Sequence, residues 1–286
     1  MSRWLALAAC LLACYGVERA HAASCSTYAS GIAFGSYVAS TAIDITGTVT
    51  VICPSGTAYN VSLNAGMGTG GTTTTREMSG PNSTTLGYQM FQNSSHTLNW
   101  GNTVGTNTVA GTGTGNAQTY DIYAVLPANE YDEPGSFTDT ITVSITSSLP
   151  TATTQFSVTA TADKYCAISA TALSFGSYAG ALVNSTSTVT ATCSSTTTYT
   201  VGLNAGTATG ATVTNRSMTG PGSSLLHYSL FSNSTHTTNW GNSSGSWVSG
   251  TGNGSAQGLT IYGQIPAGQY PTPGNYSDTI VATITY

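Results

Sequence analysis

The feature that most limits what this chain can fold into is an internal repeat. FGSY at 34–37 returns at 175–178, LNAG at 63–66 returns at 203–206, and NWGN at 99–102 returns at 239–242. Arg76-Glu-Met-Ser-Gly-Pro comes back as Arg216-Ser-Met-Thr-Gly-Pro, and PGSFTDTITVSIT (134–146) as PGNYSDTIVATIT (273–285). The offset stays between 139 and 141 residues from end to end. Self-similarity at that period predicts two domains of ordinary size, 24–147 and 166–286, with 148–165 between them.

Each copy breaks into short alternating runs separated by Gly, Asn, Ser and Pro. The charged fraction is 5%, against about 25% in ordinary globular proteins. Long surface helices need those missing charges, whereas Thr, Val, Ile and Tyr favour strands and the glycines favour turns. Strands are expected in copy one near 32–38, 43–53, 57–64, 86–92, 119–126 and 136–146, with matching strands in copy two. The fold class that follows is all-β: two tandem antiparallel sandwiches of the immunoglobulin-like kind, each a strand short of the simplest seven. In the closing strands Phe137, Ile141, Val143 and Ile145 share one face, as do Tyr276, Ile280, Ala282 and Ile284. Tyr286 follows directly on the second, so copy two is expected to have an unpaired edge and an uncovered core.

The first residues read as an export signal over 1–23. Arg3 supplies the positive start, Trp4 to Cys14 an apolar run too short to span a bilayer, and Ala20-His21-Ala22 a small-x-small cleavage site. A lipoprotein-type cut before Cys10 or Cys14 is the alternative. After cleavage at 23, Cys25, Cys53, Cys166 and Cys193 remain. An even number of cysteines in an exported chain points to disulfides, and Cys25–Cys53 with Cys166–Cys193 keeps each bridge inside one repeat. Zinc ligation is the alternative, but no cysteine lies two residues from another and no His-x3-His accompanies them. The mature balance is three basic against nine acidic residues, which excludes nucleic acid as a partner for want of a basic patch.

The ordered set of an early Cys, FGSY, a second Cys some thirty residues on, LNAG, Arg-x-Met, WGN, IYGQIP and a closing Gly-x-Tyr-x-Asp-Thr strand resembles the spore coat protein U domain. The resemblance covers nearly all of the chain after the signal, twice. That family includes subunits of archaic, Csu-type chaperone–usher pili, whose pilins are incomplete sandwiches finished by a donor strand from the next subunit. The resemblance therefore implies four partners: a periplasmic pilus chaperone, an outer-membrane usher, the next pilin subunit, and an abiotic or host surface. FSVTATADKYC (156–166) then acquires a meaning. Phe156, Val158, Ala160 and Ala162 alternate onto one face ahead of Cys166, as a donor strand would, and nothing strand-like precedes Cys25. Residues 147–154 reach about 25 Å when extended, enough for the 154–163 segment to fold back and complete copy one within its own chain. Copy two must then receive a strand beside Tyr276, Ile280, Ala282, Ile284 and Tyr286. A chain that receives but does not donate belongs at the tip of a fibre, exported through the periplasm to the cell surface. The bland alternative is a linker that alternates by chance.

The repeat also serves as a control for candidate sites. Trp100 recurs as Trp240, which favours packing over binding, though an aromatic in a Gly/Asn loop remains a binding candidate. Arg76 and Asp139 recur as Arg216 and Asp278, and so few charges invite a structural ion pair in each copy. Copy one alone has Met67, Val104 and Val109 in its loops, candidates for an apolar binding surface, unless those loops have merely drifted. It alone has Glu130, Asp132 and Glu133. Carboxylates suit a cation such as Ca²⁺, but the spacing matches no calcium loop, and a solvated loop is the expected reading. His96 and His236 recur beside Ser and Thr, yet no GxSxG, Cys/His set or HExxH accompanies them. The chain therefore reads as non-enzymatic, with no cofactor and no metal site. The principal reading is a pilus-tip adhesin acting in surface attachment and biofilm formation. The alternative is a secreted structural coat protein of the protein U type. A carbohydrate-binding module would need aromatic platforms peculiar to one copy, and copy one offers none.

Overall fold

A computed structural model describes residues 24–286. The signal read over 1–23, including Arg3, Cys10, Cys14 and the Ala20–Ala22 cleavage site, lies outside the described residues. The first half forms ten strands: β1 (Ser26–Ala29), β2 (Ile32–Tyr37), β3 (Ile43–Ile52), β4 (Ala58–Leu63), β5 (Arg76–Ser79), β6 (Thr85–Phe91), β7 (Val109–Thr112), β8 (Ala117–Leu126), β9 (Gly135–Ser147) and β10 (Ala152–Ala162). The second forms β11 (Cys166–Ala170), β12 (Val183–Cys193), β13 (Thr198–Leu203), β14 (Arg216–Thr219), β15 (Leu225–Phe231), β16 (Val248–Thr251), β17 (Ala256–Ile265) and β18 (Ala282–Thr285). The six strands expected in copy one are present within two residues at either end. Three four-residue strands, β1, β5 and β7, join them.

The first half is a sandwich. One layer runs β1-β3-β8-β6, and the other runs β7-β4-β9-β10-β2, with β5 joining β6 to β9. Alternation along β9 sends Phe137, Ile141, Val143 and Ile145 into a single core with Val49, Val51, Leu86, Met90 and Ile122. The second half repeats the first layer as β11-β12-β17-β15-β14, but among the described residues its facing layer has only β16-β13-β18.

That shortfall departs from the expectation of matching strands in copy two. Residues 171–182 form no strand, although their counterparts include β2, and the closing strand begins only at Ala282 although its counterpart β9 begins at Gly135. The sequences are nearly the same, so local preference does not explain the difference. In the first half β10 lies between β2 and β9 and bonds to both. In the second half nothing among the described residues lies between the corresponding segments, and a strand without a ladder partner is not a strand. Both expected disulfides, Cys25–Cys53 and Cys166–Cys193, are present.

Candidate strand-acceptor groove and loop hub

β10 pairs antiparallel with β9, placing Phe156 opposite Ile141 and Ala160 opposite Phe137. On its other edge it runs parallel to β2, with Val158 beside Ile32 and Ala162 beside Tyr37. Phe156, Val158, Ala160 and Ala162 are all buried, while Gln155, Ser157 and Thr161 face outward. The size order follows from the neighbours: small residues sit opposite the Phe137 and Tyr37 rings, and the one large side chain sits opposite Ile141.

In the second half the counterparts of the residues around β10 border open space. Leu173, Phe175, Tyr178, Met218, Leu226 and Tyr276 line an open groove of about 770 Å³, and all of these but Leu226 are only partly buried. Tyr276, Ile280, Ala282 and Ile284 are each only partly buried against the second core, where Phe137, Ile141, Val143 and Ile145 are fully buried in the first. Tyr286 is exposed beyond the end of β18. Among the described residues the missing counterpart of β2 and the shortened closing strand of the second half both border the place that β10 fills in the first.

A buried arginine organises the loops of each sandwich. The Arg76 guanidinium donates to the carbonyls of Asn64 (2.9 Å), Thr73 (3.1 Å), Leu63 (3.4 Å) and Trp100 (2.7 Å). Asp139 does not join it directly. Its carboxylate accepts from the Met67 N–H (2.7 Å), the Tyr88 hydroxyl (2.6 Å) and the Thr140 N–H (2.7 Å). The expected ion pairs are therefore corrected to a pair of hubs, with Tyr88 paired across the strands from Arg76 and bonded to Asp139. Arg216 and Asp278 repeat this arrangement through the Trp240 carbonyl and Tyr228. The carbonyls give the guanidinium charge-assisted bonds in place of a direct carboxylate partner, and the buried Asp139 carboxylate is satisfied separately by its own three donors. Burial lowers the pKa of Arg76 to about 10, against the opposing pull of Tyr88 and Asp139, and the group stays charged at neutral pH. The LNAG motif serves the same hub. Gly66 has φ +85°, and a Cβ there would lie 2.0 Å from the Asp139 carboxylate, so only glycine lets the loop approach so closely.

The loops tied to this hub carry exposed apolar residues. Met67 is 75% exposed and Val104 55%. Sequence reading missed Leu98, which is 57% exposed in the same loop set, close to Asn99, whose amide donates to the Thr73 carbonyl. The signal was available in the repeat, since Met67, Leu98 and Val104 stand where Thr207, Thr238 and Ser244 stand in the second copy. Two candidates are corrected. Val109 is the first residue of β7 and packs partly buried against the core. Trp100 is fully buried, its indole N–H donating to the Val61 carbonyl at 3.0 Å, so it is a core residue like Trp240.

Glu130, Asp132 and Glu133 lie in the turn between β8 and β9. Glu133 accepts both bonds from the Asn82 amide (3.0 and 3.1 Å). Burial, reinforced by Glu77, raises the Asp132 pKa to about 6, and one of its oxygens is buried without a partner. Among the described residues no group of three or more His, Cys, Asp or Glu is placed to hold a metal ion.

Comparison with known proteins supplies the family. Protein U of Myxococcus xanthus is 41% identical over 61 residues, which is 21% of this chain and 34% of that protein. This chain thus matches about a third of that relative's length. Among solved structures, the CsuC–CsuE chaperone–tip adhesion subunit pre-assembly complex from archaic chaperone-usher Csu pili of Acinetobacter baumannii aligns over 92% of this chain and 100% of the matched chain. At 16% identity and a TM-score of 0.52 it shares the fold. The Spore Coat Protein U domain matches twice, over residues 11–144 and 152–283, so the chain belongs to the Spore Coat Protein U domain family, with two copies of the domain in tandem.

Proposed function

We propose that this protein is the tip adhesin of an archaic chaperone–usher pilus, exported to the cell surface and acting in attachment and biofilm formation. The observation that carries the reading is the asymmetry of the two grooves. β10 fills the first groove from within the chain, while the matching groove of the second sandwich is open. The segment ahead of Cys166 stands where a donor extension of the second sandwich would stand, and it is used internally. What remains is a strand acceptor, and strand addition along an exposed edge is an established mode of assembly. The next pilin subunit is its donor. A periplasmic chaperone covers the groove before assembly, and an outer-membrane usher passes the chain outward. The first sandwich then faces the environment, and Met67, Leu98 and Val104 contact an abiotic or host surface, with many pili adding avidity. Ser217 and the His227 ring nitrogen Nδ1 lie 2.9 Å apart, but among the described residues no carboxylate hydrogen-bonds to that ring to orient it as a general base, so the pair is read as structural and no catalytic role is assigned.

The test is immunogold labelling of intact pili with antibody to the first sandwich. One label at the free end of each fibre is the expected result. Labels along the shaft, or a chain secreted without fibres as a soluble coat protein, would overturn the reading.

A further inference from the structure

The two sandwiches touch through a turn whose duplicate is left bare. Tyr131, between β8 and β9, stacks on Tyr165 with ring centroids 5.9 Å apart, and its carbonyl accepts from the Ser195 N–H at 3.1 Å. Tyr165 directly precedes Cys166, and Ser195 lies in the turn after Cys193. The disulfide pole of the second sandwich is therefore seated on this turn of the first. In the second sandwich the corresponding residue is Tyr270, which is 91% exposed, an unusual state for a tyrosine.

The two turns are built alike. The Tyr37 hydroxyl donates to the Pro127 carbonyl at 2.7 Å and accepts from the Glu130 N–H at 3.2 Å. The Tyr178 hydroxyl donates to the Pro266 carbonyl at 2.8 Å and accepts from the Gln269 N–H at 3.0 Å. Asn129 and Gly268 share a left-handed backbone, with φ +71° and +83°. Tyr270 is thus held out by the same scaffold that presents Tyr131.

We infer that the Tyr270 turn is the seat for the disulfide pole of the next subunit, repeating between chains the contact that Tyr131 makes within this one. The inference rests on the proposed assembly by strand donation, and it follows from where a donor strand ends. β10 runs to Ala162, four residues before Cys166, and so delivers that cysteine's pole to Tyr131. A donor strand lying the same way in the second groove and followed as closely by its own first cysteine delivers that pole to Tyr270. The partner surface is specified by chemistry: an aromatic or apolar residue just before the first cysteine, and a free backbone N–H in the turn after the second. Pro271 and Thr272 replace Asp132 and Glu133, so this seat carries no charge. The outer pole of the first sandwich lacks the matching aromatic, because Ser24 stands in the place of Tyr165.

The test places a photoreactive benzophenone side chain at one of two positions of the full-length chain, in the bacterium that makes it. Pili are sheared from the cells and irradiated, and the adducts are mapped by mass spectrometry. In place of Tyr276, which lines the groove, the group is expected to capture the donor segment of the neighbouring subunit. In place of Tyr270 it is expected to capture the same subunit at residues flanking its cysteines, shifting the chain by that subunit's mass. Capture from position 276 with none from 270, or capture at 270 of the donor segment alone, would overturn the seat and leave strand donation standing. Capture of a pilus subunit from neither position would overturn both.

Discussion

Phe156→Ala tests whether β10 is a structural part of the first sandwich. Phe156 is buried opposite Ile141, and its truncation deletes the one large side chain on the buried face of β10. Buried Phe→Ala changes cost about 3–5 kcal/mol. The lower end applies here, because pairing with β2 begins only at Val158, leaving Phe156 flanked by β9 on one side and some room for the site to relax. A loss of about 3 kcal/mol is roughly a hundredfold in the opening equilibrium. Hydrogen exchange followed by mass spectrometry resolves the two halves separately. Amides of β9 are expected to exchange about a hundredfold faster in the variant, while those of β12 keep their wild-type rates. Gln155→Ala serves as a control on the exposed face of the same strand, with an effect under about 0.5 kcal/mol. Unchanged β9 exchange in Phe156→Ala, or an equal loss of protection in β12, would refute the reasoning.

Replacing Arg76 by Met strands the carbonyls of Leu63, Asn64, Thr73 and Trp100. Unsatisfied buried acceptors cost about 1–3 kcal/mol each before relaxation, so the first sandwich should lose roughly 3 kcal/mol or more and melt about 10 °C lower. A shift under 2 °C by calorimetry would mean the hub is not structural. The raised pKa of Asp132, about 6 in the fold, fixes the sign of a pH effect. A carboxyl that binds its proton more tightly when folded stabilises at low pH, and that stability is lost as pH rises through about 6. Burial, with Asp132 and Glu77, also raises Glu130, so both act in the same direction. The gain from pH 7.5 to pH 5 should be about 1 kcal/mol after allowance for the partial exposure of Asp132. Asp132→Asn should flatten the dependence measured in thermal melts, and a first sandwich that melts lower at pH 5 would contradict it. Asp278 has the opposite sign. Burial acts to raise its pKa, but donors from Thr207, Tyr228 and Thr279 outweigh that and lower it. Met67→Asp, Leu98→Asp and Val104→Asp together should abolish attachment to an apolar surface while fibres assemble at normal number by electron microscopy. Unchanged attachment would remove these loops from the account.

What the sequence disclosed, and what it hid, divides by range of interaction. Strands with clean alternation, such as β9 and β10, were legible because each core face is written locally as period two. The four-residue strands STYA, REMS and VAGT are too short to show a period and exist because a longer neighbour pairs with them. Residues 171–178 and 274–281 carry the same pattern as their partners in the first half, yet a pattern records which face is apolar and not whether a neighbour is there to bond. The Arg76 hub failed for a related reason. Arg216 and Asp278 are the only two charges of the second copy and suggest each other, a pairing the repeat then carries to Arg76 and Asp139, but the carbonyls that take up the guanidinium come from loops, and no residue code marks a free carbonyl. Val109 shows the limit of reading exposure from loop composition, since the Gly/Asn context placed it outside and β7 turned it inward, whereas the recurrence of Trp100 as Trp240 already favoured the packing role it has. Leu98 was legible by the same comparison between copies that singled out Met67.

The measurement that bears most directly on the account is cooperative unfolding of residues 24–147 compared with residues 24–165, each with the Cys25–Cys53 bridge oxidised. The shorter piece lacks β10 and should expose the groove formed by Ile32, Phe34, Tyr37 and Phe137. It is expected to aggregate or to melt without a cooperative transition, while the longer piece unfolds in one sharp step. Equal, cooperative unfolding of both would contradict completion of the first sandwich by its own chain, and the tip assignment would fall with it.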